Sequence, residues 1–119
     1  MKILSWNVNS VRIRLTQLLE LILSESPDVI CLQETKVENQ SFPLKEFRKR
    51  GYHIFLNGIS SYNGVCILSK ENTKNFKIEN FCGKNDGRHI QIKLKDLNIH
   101  SIYIPAGGDE PDPKINKKF

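Results

Sequence analysis

A short apolar run, Val29 to Leu32, gives the clearest pattern in the chain. It follows Pro27 and passes directly into the polar residues Gln33 and Glu34. A run of this length, rich in β-branched residues and bounded by polar groups, is typical of a strand buried on both faces, as in a parallel sheet. The pattern therefore predicts a central strand that ends beside a carboxylate.

A second strand is predicted at the N-terminus, from Ile3 to Val8. The segment between the two strands, Arg12 to Ser26, has apolar residues at helical spacing, namely Leu15, Leu18, Leu19 and Ile22. Together these segments predict a β-α-β unit, whose right-handed crossover brings the carboxyl ends of its parallel strands close together.

The rest of the chain alternates between short strands and turns. A short helix, Leu44 to Lys49, is predicted between Pro43 and a C-terminal cap at Gly51. The predicted strands that follow are Tyr52 to Leu56, Val65 to Leu68, a weak one from Phe76 to Phe81, Arg88 to Leu94, and Ile99 to Ile104 after a turn at Lys95 to Asn98. The fold class is α/β, with a β-α-β unit followed by mostly antiparallel strands.

Composition and charge narrow the class of protein only a little. The chain has 119 residues, 39% of them hydrophobic and 26% charged, which predicts one folded domain rather than a disordered segment. Its net charge of +5 favours polyanionic partners, although many enzymes with neutral substrates are equally basic.

The number and spacing of the cysteines and the length of the apolar runs indicate a cellular compartment. Cys31, Cys66 and Cys82 form an odd set without C-x-x-C spacing, and the first two fall within apolar strands as small buried residues. We expect a reducing cytoplasm, with no signal peptide and no membrane span, since no apolar run is long enough to cross a bilayer.

Two polar side chains stand where the predicted parallel strands end. Asn7 closes the first strand and Glu34 follows the second, so their amide and carboxylate oxygens would face one site. Oxygen donors of this kind suit Mg²⁺ or Mn²⁺. The plainer alternatives are a solvated acid at Glu34 and, at Asn7, an amide that caps the strand end by bonding to backbone.

Five segments together resemble one known family. They are SWNVNSVR around Asn7, LQETK around Glu34, GYHIFLNG, SYNGVCILSK and SIYIPAGG, and they extend over essentially the whole chain. They resemble the exodeoxyribonuclease III family of Mg²⁺-dependent abasic-site DNA repair nucleases. The resemblance implies a four-layered α/β sandwich of the DNase I type, a Mg²⁺ or Mn²⁺ cofactor, and double-stranded DNA with abasic sites or 3′ ends as substrate.

The same resemblance implies roles for individual residues. Glu34 would hold the metal, Asn7 the metal or the substrate phosphate, and Asn9 would support them from outside. Tyr103 in SIYIPAGG matches the family's active-site tyrosine, although a tyrosine between isoleucines is also ordinary strand packing. The implied DNA contacts, each of which could equally be a solvated surface residue, are Arg12, Lys36, Tyr62 and Arg88.

Other candidate residues are set aside. His53, His89 and His100 lack the surrounding motif of the family's catalytic histidine and are interpreted as structural. The segment Asp96 to Asn98 resembles part of the family's glycine-aspartate-x-asparagine motif, but it lacks the glycine and precedes Tyr103 instead of following it. That motif and the family's late aspartate-histidine pair are both missing from this sequence.

These omissions lead to a specific expectation about the chain. We interpret residues 1–119 as the N-terminal portion of one endonuclease/exonuclease/phosphatase domain whose C-terminal half is absent. We expect this portion to be inactive alone. With little more than one sheet, it would expose an apolar inner face and need a complementary chain or self-association, although the family is usually monomeric. Two other functions stay open: another phosphodiesterase or phosphatase of the superfamily, and a noncatalytic remnant that binds DNA or nothing.

Overall fold

Seven strands and two α-helices make up the fold. The computed structural model describes residues 1–81, 83, 85–107, 112 and 114. In chain order the elements are β1 (Ile3–Asn7), α1 (Leu15–Glu25), β2 (Val29–Gln33), a 3₁₀ turn (Asn39–Ser41), α2 (Leu44–Arg48), β3 (His53–Asn57), β4 (Val65–Ser69), β5 (Phe76–Lys77), β6 (His89–Leu94) and β7 (Leu97–Ile102).

Four of the strands form sheet A, in the order β1-β2-β4-β3. Strands β1 and β2 are parallel, with Ile3 opposite Val29 and Asn7 opposite Gln33, which confirms the β-α-β unit. Strand β4 runs antiparallel to both β2 and β3. Because Asn7 and Gln33 end their strands side by side, the chain leaves sheet A at this edge into the segments that contain Asn9 and Glu34.

The helices cover one face of sheet A. Leu18 and Ile22 of α1 and Phe47 of α2 are buried against the strand residues that point the same way, including Ile30 and Leu32 of β2. The helix α1 begins at Leu15 rather than Arg12, because residues 11–14 form turns. It ends at Glu25 where the sequence predicted, since Ser26 adopts a left-handed conformation that caps the helix.

Strands β5, β6 and β7 form an antiparallel sheet B that packs on the other face of sheet A. The prediction of little more than one sheet with an exposed apolar inner face is therefore wrong. Val29 and Ile67 of sheet A and Ile90 and Ile92 of sheet B are fully buried in one cluster between the sheets. The alternation along β6 accounts for this, because it gives sheet B an apolar face that matches the inner face of sheet A.

Several strand boundaries differ from the sequence prediction. The weak strand Phe76 to Phe81 shrinks to two residues, and β6 begins at His89 instead of Arg88. The turn that follows contains only Lys95 and Asp96, because Leu94 pairs directly with Leu97. Consequently β7 ends at Ile102, and Tyr103 lies just beyond a strand rather than inside one.

The described residues thus form three layers: helices, sheet A and sheet B. This is the predicted α/β fold, a β-α-β unit followed by mostly antiparallel strands, with a second stacked sheet and without an outer helical layer on sheet B within the described part of the chain. None of the described helices has the length and apolar character needed to span a bilayer. Cys31 and Cys66 are buried free thiols, as expected, whereas Cys82 lies outside the described residues.

Candidate active site at one edge of the sandwich

The predicted site residues lie along one edge of the two sheets, which we call the site edge. It contains the carboxyl ends of β1, β2 and β7 and the segments that lead into β4 and β6. The sequence candidates at or next to these positions are Asn7, Asn9, Arg12, Glu34, Lys36, Tyr62, Arg88 and Tyr103. Strand register within each sheet and the packing of the two sheets therefore place at one edge residues that are up to 96 positions apart, from Asn7 to Tyr103.

Backbone hydrogen bonds hold Glu34 firmly at the end of β2. Its carbonyl oxygen accepts the N–H of Ser10 at 2.8 Å, and the carbonyl of Thr35 accepts the N–H of Val11 at 3.1 Å. On the other side, the N–H of Thr35 donates to Gly64 at 3.1 Å, and Thr35 is only 1% exposed. The Glu34 carboxylate thus projects from a backbone fixed on both sides by neighbouring segments.

The backbone at this edge adopts an uncommon conformation. Glu34 has φ +54°, and Asn9, Ser10 and Lys36 also have positive φ. For a residue with a Cβ, the left-handed region costs about 1–2 kcal/mol. Such conformations persist only where the surrounding structure determines them, and they cluster at functional sites. The strain therefore supports a functional interpretation of this edge over that of a solvated acid.

Two glycines join the sheets at the same edge. Gly64, before β4, donates its N–H to the carbonyl of Gly87, before β6, at 2.9 Å. Both have positive φ, and a Cβ on Gly64 would come within 2.3 Å of Thr35 Oγ1, while one on Gly87 would lie 3.1 Å from the Gly64 nitrogen. This close contact sets the distance between the Glu34 segment and the segment that contains Arg88.

Asn7 is the first member of a short hydrogen-bonded series. Its Oδ1 accepts the backbone N–H of Asn9 at 3.2 Å, and Asn9 Oδ1 in turn accepts Lys36 Nζ at 2.5 Å. The alternative role for Asn7 as a strand-end cap is therefore present in the structure. Because an amide oxygen has two lone pairs, the cap leaves one of them for a further donor or a cation.

Tyr103 reaches Glu34 from the opposite sheet. The phenol packs against the cluster between the sheets, whereas Ile102 and Ile104 are 44% and 82% exposed, which confirms the predicted alternation. Burial raises the pKa of the Tyr103 phenol, and the neighbouring Glu34 carboxylate raises it further. The nearby Arg88 opposes it. Tyr103 is therefore a protonated hydrogen-bond donor at neutral pH.

The four candidate DNA contacts differ in how they are held. Arg88 forms an ion pair with Asp86 at 2.7 Å, and its carbonyl accepts the N–H of Tyr103 at 2.8 Å. Lys36 is bonded to Asn9, as above. Arg12 and Tyr62 are exposed at the rim, Tyr62 by 59%. The structure therefore connects Arg88 and Lys36 to the other site residues and leaves Arg12 and Tyr62 on its periphery.

The residues set aside by the sequence lie elsewhere or are engaged in packing. Asp96 is in the turn between β6 and β7, and Asn98 bonds to Gln91, at the end of sheet B opposite Tyr103. Along a six-residue strand this separation is roughly 20 Å. His89 is buried and His53 is exposed at the start of β3, which agrees with structural roles.

Sequence reasoning missed the polar residues that support the site from within. Gln33 Nε2 donates to Ser101 Oγ at 3.0 Å, and Ser101 Oγ donates to the carbonyl of Leu32 at 3.0 Å, across the two sheets. Asn57 Nδ2 likewise donates to the carbonyl of His89 at 2.8 Å. The available signal was an unexplained polar residue at an inward position of an otherwise apolar strand, as at Ser101 in SIYI.

Among the described residues, no three His, Cys, Asp or Glu side chains lie close enough together to hold a metal ion. The oxygen donors that the sequence singled out for a metal at this edge are the Glu34 carboxylate and the Asn7 amide. This is a partial set, which Mg²⁺ would accept only with water and substrate oxygens completing its shell.

Comparison with known proteins agrees with this geometry. Exodeoxyribonuclease III of Haemophilus influenzae is 37% identical over 114 residues, which cover 90% of this chain and 42% of the relative. Two solved structures superpose closely: the 3′ phosphatase NExo from Neisseria bound to product DNA hairpin, with TM-score 0.89 and 30% identity, and an AP endonuclease from Archaeoglobus fulgidus, with TM-score 0.84 and 34% identity. They are matched over 99% and 96% of this chain, but over only 47% and 45% of their own.

The chain thus spans less than half the length of each of these relatives. The model of the Endonuclease/Exonuclease/phosphatase family matches residues 4–109, a range that includes every residue of the site edge. On this match, together with its two stacked sheets, the chain belongs to the Endonuclease/Exonuclease/phosphatase family.

Proposed function

We propose that this chain supplies part of the active site of a Mg²⁺-dependent DNA repair nuclease that hydrolyses phosphodiesters at abasic sites or 3′ ends. The observation that carries the proposal is that the two sheets meet at the site edge, where Gln33 Nε2 donates to Ser101 Oγ at 3.0 Å and the segment of Glu34 therefore lies next to that of Tyr103. The names of the relatives, an exodeoxyribonuclease, a 3′ phosphatase and an AP endonuclease, support DNA as the substrate.

The donor set at the site edge fits a divalent cation. Mg²⁺ is commonly bound through one or two carboxylates, with water and phosphate oxygens filling the remaining positions. Glu34 would be the carboxylate and Asn7 the neutral oxygen donor, with Asn9 fixing the Asn7 amide. When bound, the cation would polarise the scissile phosphate and stabilise the leaving oxygen.

The chain's own residues would orient the substrate. Tyr103 is protonated at neutral pH, so its phenol would donate a hydrogen bond to a phosphate oxygen of the scissile group. Arg12 and Lys36 would contact backbone phosphates, and Arg88, already paired with Asp86, would hold Tyr103 in place through its carbonyl. Tyr62, exposed in its loop, would pack against sugar or base.

The group that activates water would come from outside this polypeptide. Among the residues that the structure describes, no histidine is hydrogen-bonded to a carboxylate that would orient it, and the motifs that supply these groups in the family follow the position of Tyr103. We therefore propose that residues 1–119 are the N-terminal portion of a divided or longer domain. The two buried free thiols, Cys31 and Cys66, support a reducing compartment such as the cytoplasm.

The test is cleavage of a labelled abasic-site duplex by this chain, alone and mixed with a second polypeptide. That partner would cover the part of the H. influenzae relative that follows the matched region. We expect chelator-sensitive cutting 5′ to the abasic site in the mixture and none from either chain alone. Complete inactivity of a mixture that forms a complex would contradict the proposal.

A variant of Glu34 in the mixture sharpens the test. Glu34→Gln keeps the shape of the side chain but removes its charge, so we expect Mg²⁺-dependent cutting to fall by about 100-fold or more. Glu38→Gln is the matched control, because Glu38 is exposed in the following loop. Equal activity of the two variants at every Mg²⁺ concentration would remove Glu34 from the metal site.

A second candidate function is DNA binding without cutting. The absence of a three-ligand metal cluster among the described residues favours it for this polypeptide alone. In that case the mixture would stay inactive, while the chain would still retard duplex DNA in a salt-dependent manner. A different phosphodiesterase or phosphatase would instead be active on other phosphate esters in the same mixture.

A further inference from the structure

Two histidines stack on the face of sheet B that points away from sheet A. His89 of β6 is only 1% exposed there, because Phe81 and His100 cover it with ring centroids 5.1 Å and 5.2 Å away. Its Nδ1 accepts the backbone N–H of Glu79 at 3.0 Å, and its Nε2 lies 2.9 Å from Nδ1 of His100. Both ring nitrogens of the buried His89 are therefore engaged in hydrogen bonds.

The direction of these hydrogen bonds fixes the protonation state of both rings. A backbone N–H can only donate, so Nδ1 of His89 must be an unprotonated acceptor. Its proton then resides on Nε2, which donates to His100. Nδ1 of His100 must therefore also be unprotonated, and both rings are neutral.

An additional proton has no place in this arrangement. On Nδ1 of His89 it would face the Glu79 N–H, and on Nδ1 of His100 it would face the His89 Nε2–H. Shifting the shared proton does not help, because it moves the conflict from one contact to the other. Every protonated form of the pair therefore breaks at least one of the two hydrogen bonds.

The surrounding charges do not compensate for this conflict. From the β5 side, Glu79 and Lys77 face His89, and they are paired with each other at 3.4 Å. Before β6, Asp86 and Arg88 form their own ion pair. Burial lowers the pKa of His89, His100 lowers it further, and Lys77 opposes the smaller upward effect of Glu79.

We propose that the His89–His100 pair is a proton-sensitive latch that holds the segment Glu79–Phe81 on sheet B. This segment forms one wall of a cavity of about 160 Å³ whose other lining residues include Arg88 and Tyr103. Release of the latch opens that cavity at the site edge. The latch is a property of this chain itself and does not depend on nuclease activity.

The sign of the pH dependence follows from which state binds protons. The closed segment excludes a proton from His89, whereas in the open segment the ring regains an ordinary pKa of about 6.5. Opening is therefore unfavourable above that pH and increases as the pH falls below it.

The experiment is NMR of the ¹⁵N-labelled 119-residue chain, with histidine tautomers read from long-range ¹⁵N couplings and amide exchange measured at pH 7.5 and 5.5. At pH 7.5 we expect His89 as the Nε2–H tautomer. After correction for intrinsic exchange, protection of the Glu79 amide should fall about tenfold between the two pH values, because the lower pH lies about one unit below the pKa of the open histidine. His53, exposed in β3, is the histidine outside the pair against which the His89 and His100 tautomers are compared.

Two variants at the exposed His100 separate the latch from general stability. His100→Asn keeps an acceptor at the δ position, so Glu79 should stay protected at pH 7.5, and its protection should still fall with pH because His89 cannot take a proton in the closed segment. His100→Leu removes the acceptor, so protection should already be low at pH 7.5. His53→Asn should change neither result.

Three outcomes would overturn the proposal. They are an Nδ1–H tautomer of His89 at pH 7.5, Glu79 protection that does not change between pH 7.5 and 5.5, and identical exchange in the two His100 variants. Random-coil titration of all three histidines would overturn it as well, because the pair would then not form in this chain.

Discussion

The two edges of the β-sandwich differ in how many of their residues have a positive φ. At the site edge, six described residues other than glycine have positive φ, namely Asn9, Ser10, Glu34, Lys36, Ser61 and Asn63. At the opposite edge the two such residues are Ser26 and Lys95. Ser26 caps a helix and Lys95 is in a two-residue hairpin turn, both ordinary settings for this conformation.

The strained residues of the site edge have no such local explanation. Glu34 and Lys36 alternate with the buried Thr35, and all three are held by backbone bonds to the segments around Ser10 and Gly64. Unfavourable backbone conformations therefore lower the stability at the edge where the polar side chains converge, and not at the opposite edge. That difference is what a site built for chemistry predicts and a merely solvated loop does not.

The largest expected effect contrasts two glycines with nearly the same conformation. Gly64 at the site edge has φ +90°, and Gly51 at the opposite edge has φ +89°. A Cβ on Gly64 would collide with Thr35 Oγ1 at 2.3 Å, whereas one on Gly51 meets nothing within 4 Å. We expect Gly64→Ala to lower the free energy of unfolding by about 2–4 kcal/mol and Gly51→Ala by about 1 kcal/mol.

Urea denaturation followed by circular dichroism measures both values on the same chain. Because the two variants share the cost of a positive φ, the difference between them isolates the contact of Gly64 with Thr35. Equal losses would show that the close approach at the site edge is not a constraint on the fold.

Local patterns predicted the elements better than the way they combine. The apolar run of β2 and the helical spacing of α1 each depend on neighbouring residues, so both were predicted to within three residues. The inter-sheet core was missed, because it requires β6 to pack on β2 and β4 across the chain. The short β5 was overestimated, since its pairing with β6 ends after Lys77 and the segment that follows turns to bond with His89 instead.

The candidate site shows the same limit. The resemblance named Glu34 and Tyr103 separately, but residue spacing could not show that their segments, which belong to different sheets, meet at one edge. Positive φ at Glu34 was also unpredictable, since no glycine or asparagine occupies that position. Ser101 left a signal as a polar residue at an inward position, but the sequence could not show that it bonds to Gln33 across the two sheets.

A smaller effect with the opposite sign should follow from relieving the strain. Glu34→Gly removes the cost of a left-handed residue with a Cβ, which exceeds the added entropy of the unfolded chain, so we expect stability to rise by about 0.5 kcal/mol. Glu38→Gly is the matched control in the same loop, where φ is −69°. There only the entropic cost applies, and stability should fall by about 0.5–1 kcal/mol.

Opposite signs for the two variants would localise the strain at Glu34. A loss of stability in both would mean that the Glu34 side chain contributes more through Tyr103 than its backbone costs. The comparison between the two edges would then rest on Gly64 alone.

The smallest effect concerns the contact between the sheets. Tyr103 has a pKa above its ordinary value, first because of burial and then because of the Glu34 side chain. Glu34→Gln removes the negative charge, so the pKa of Tyr103 should move down toward its ordinary value while the part due to burial remains. A pH titration followed by NMR of ¹³C-labelled tyrosine rings measures the pKa of Tyr103. Its signal is distinguished from that of the exposed Tyr62 and from that of Tyr52, whose hydroxyl donates to the carbonyl of Pro27 at the opposite edge. Glu38→Gln should leave the Tyr103 titration unchanged, and a Glu34→Gln variant that behaves in the same way would mean that the two sheets do not bring these side chains together.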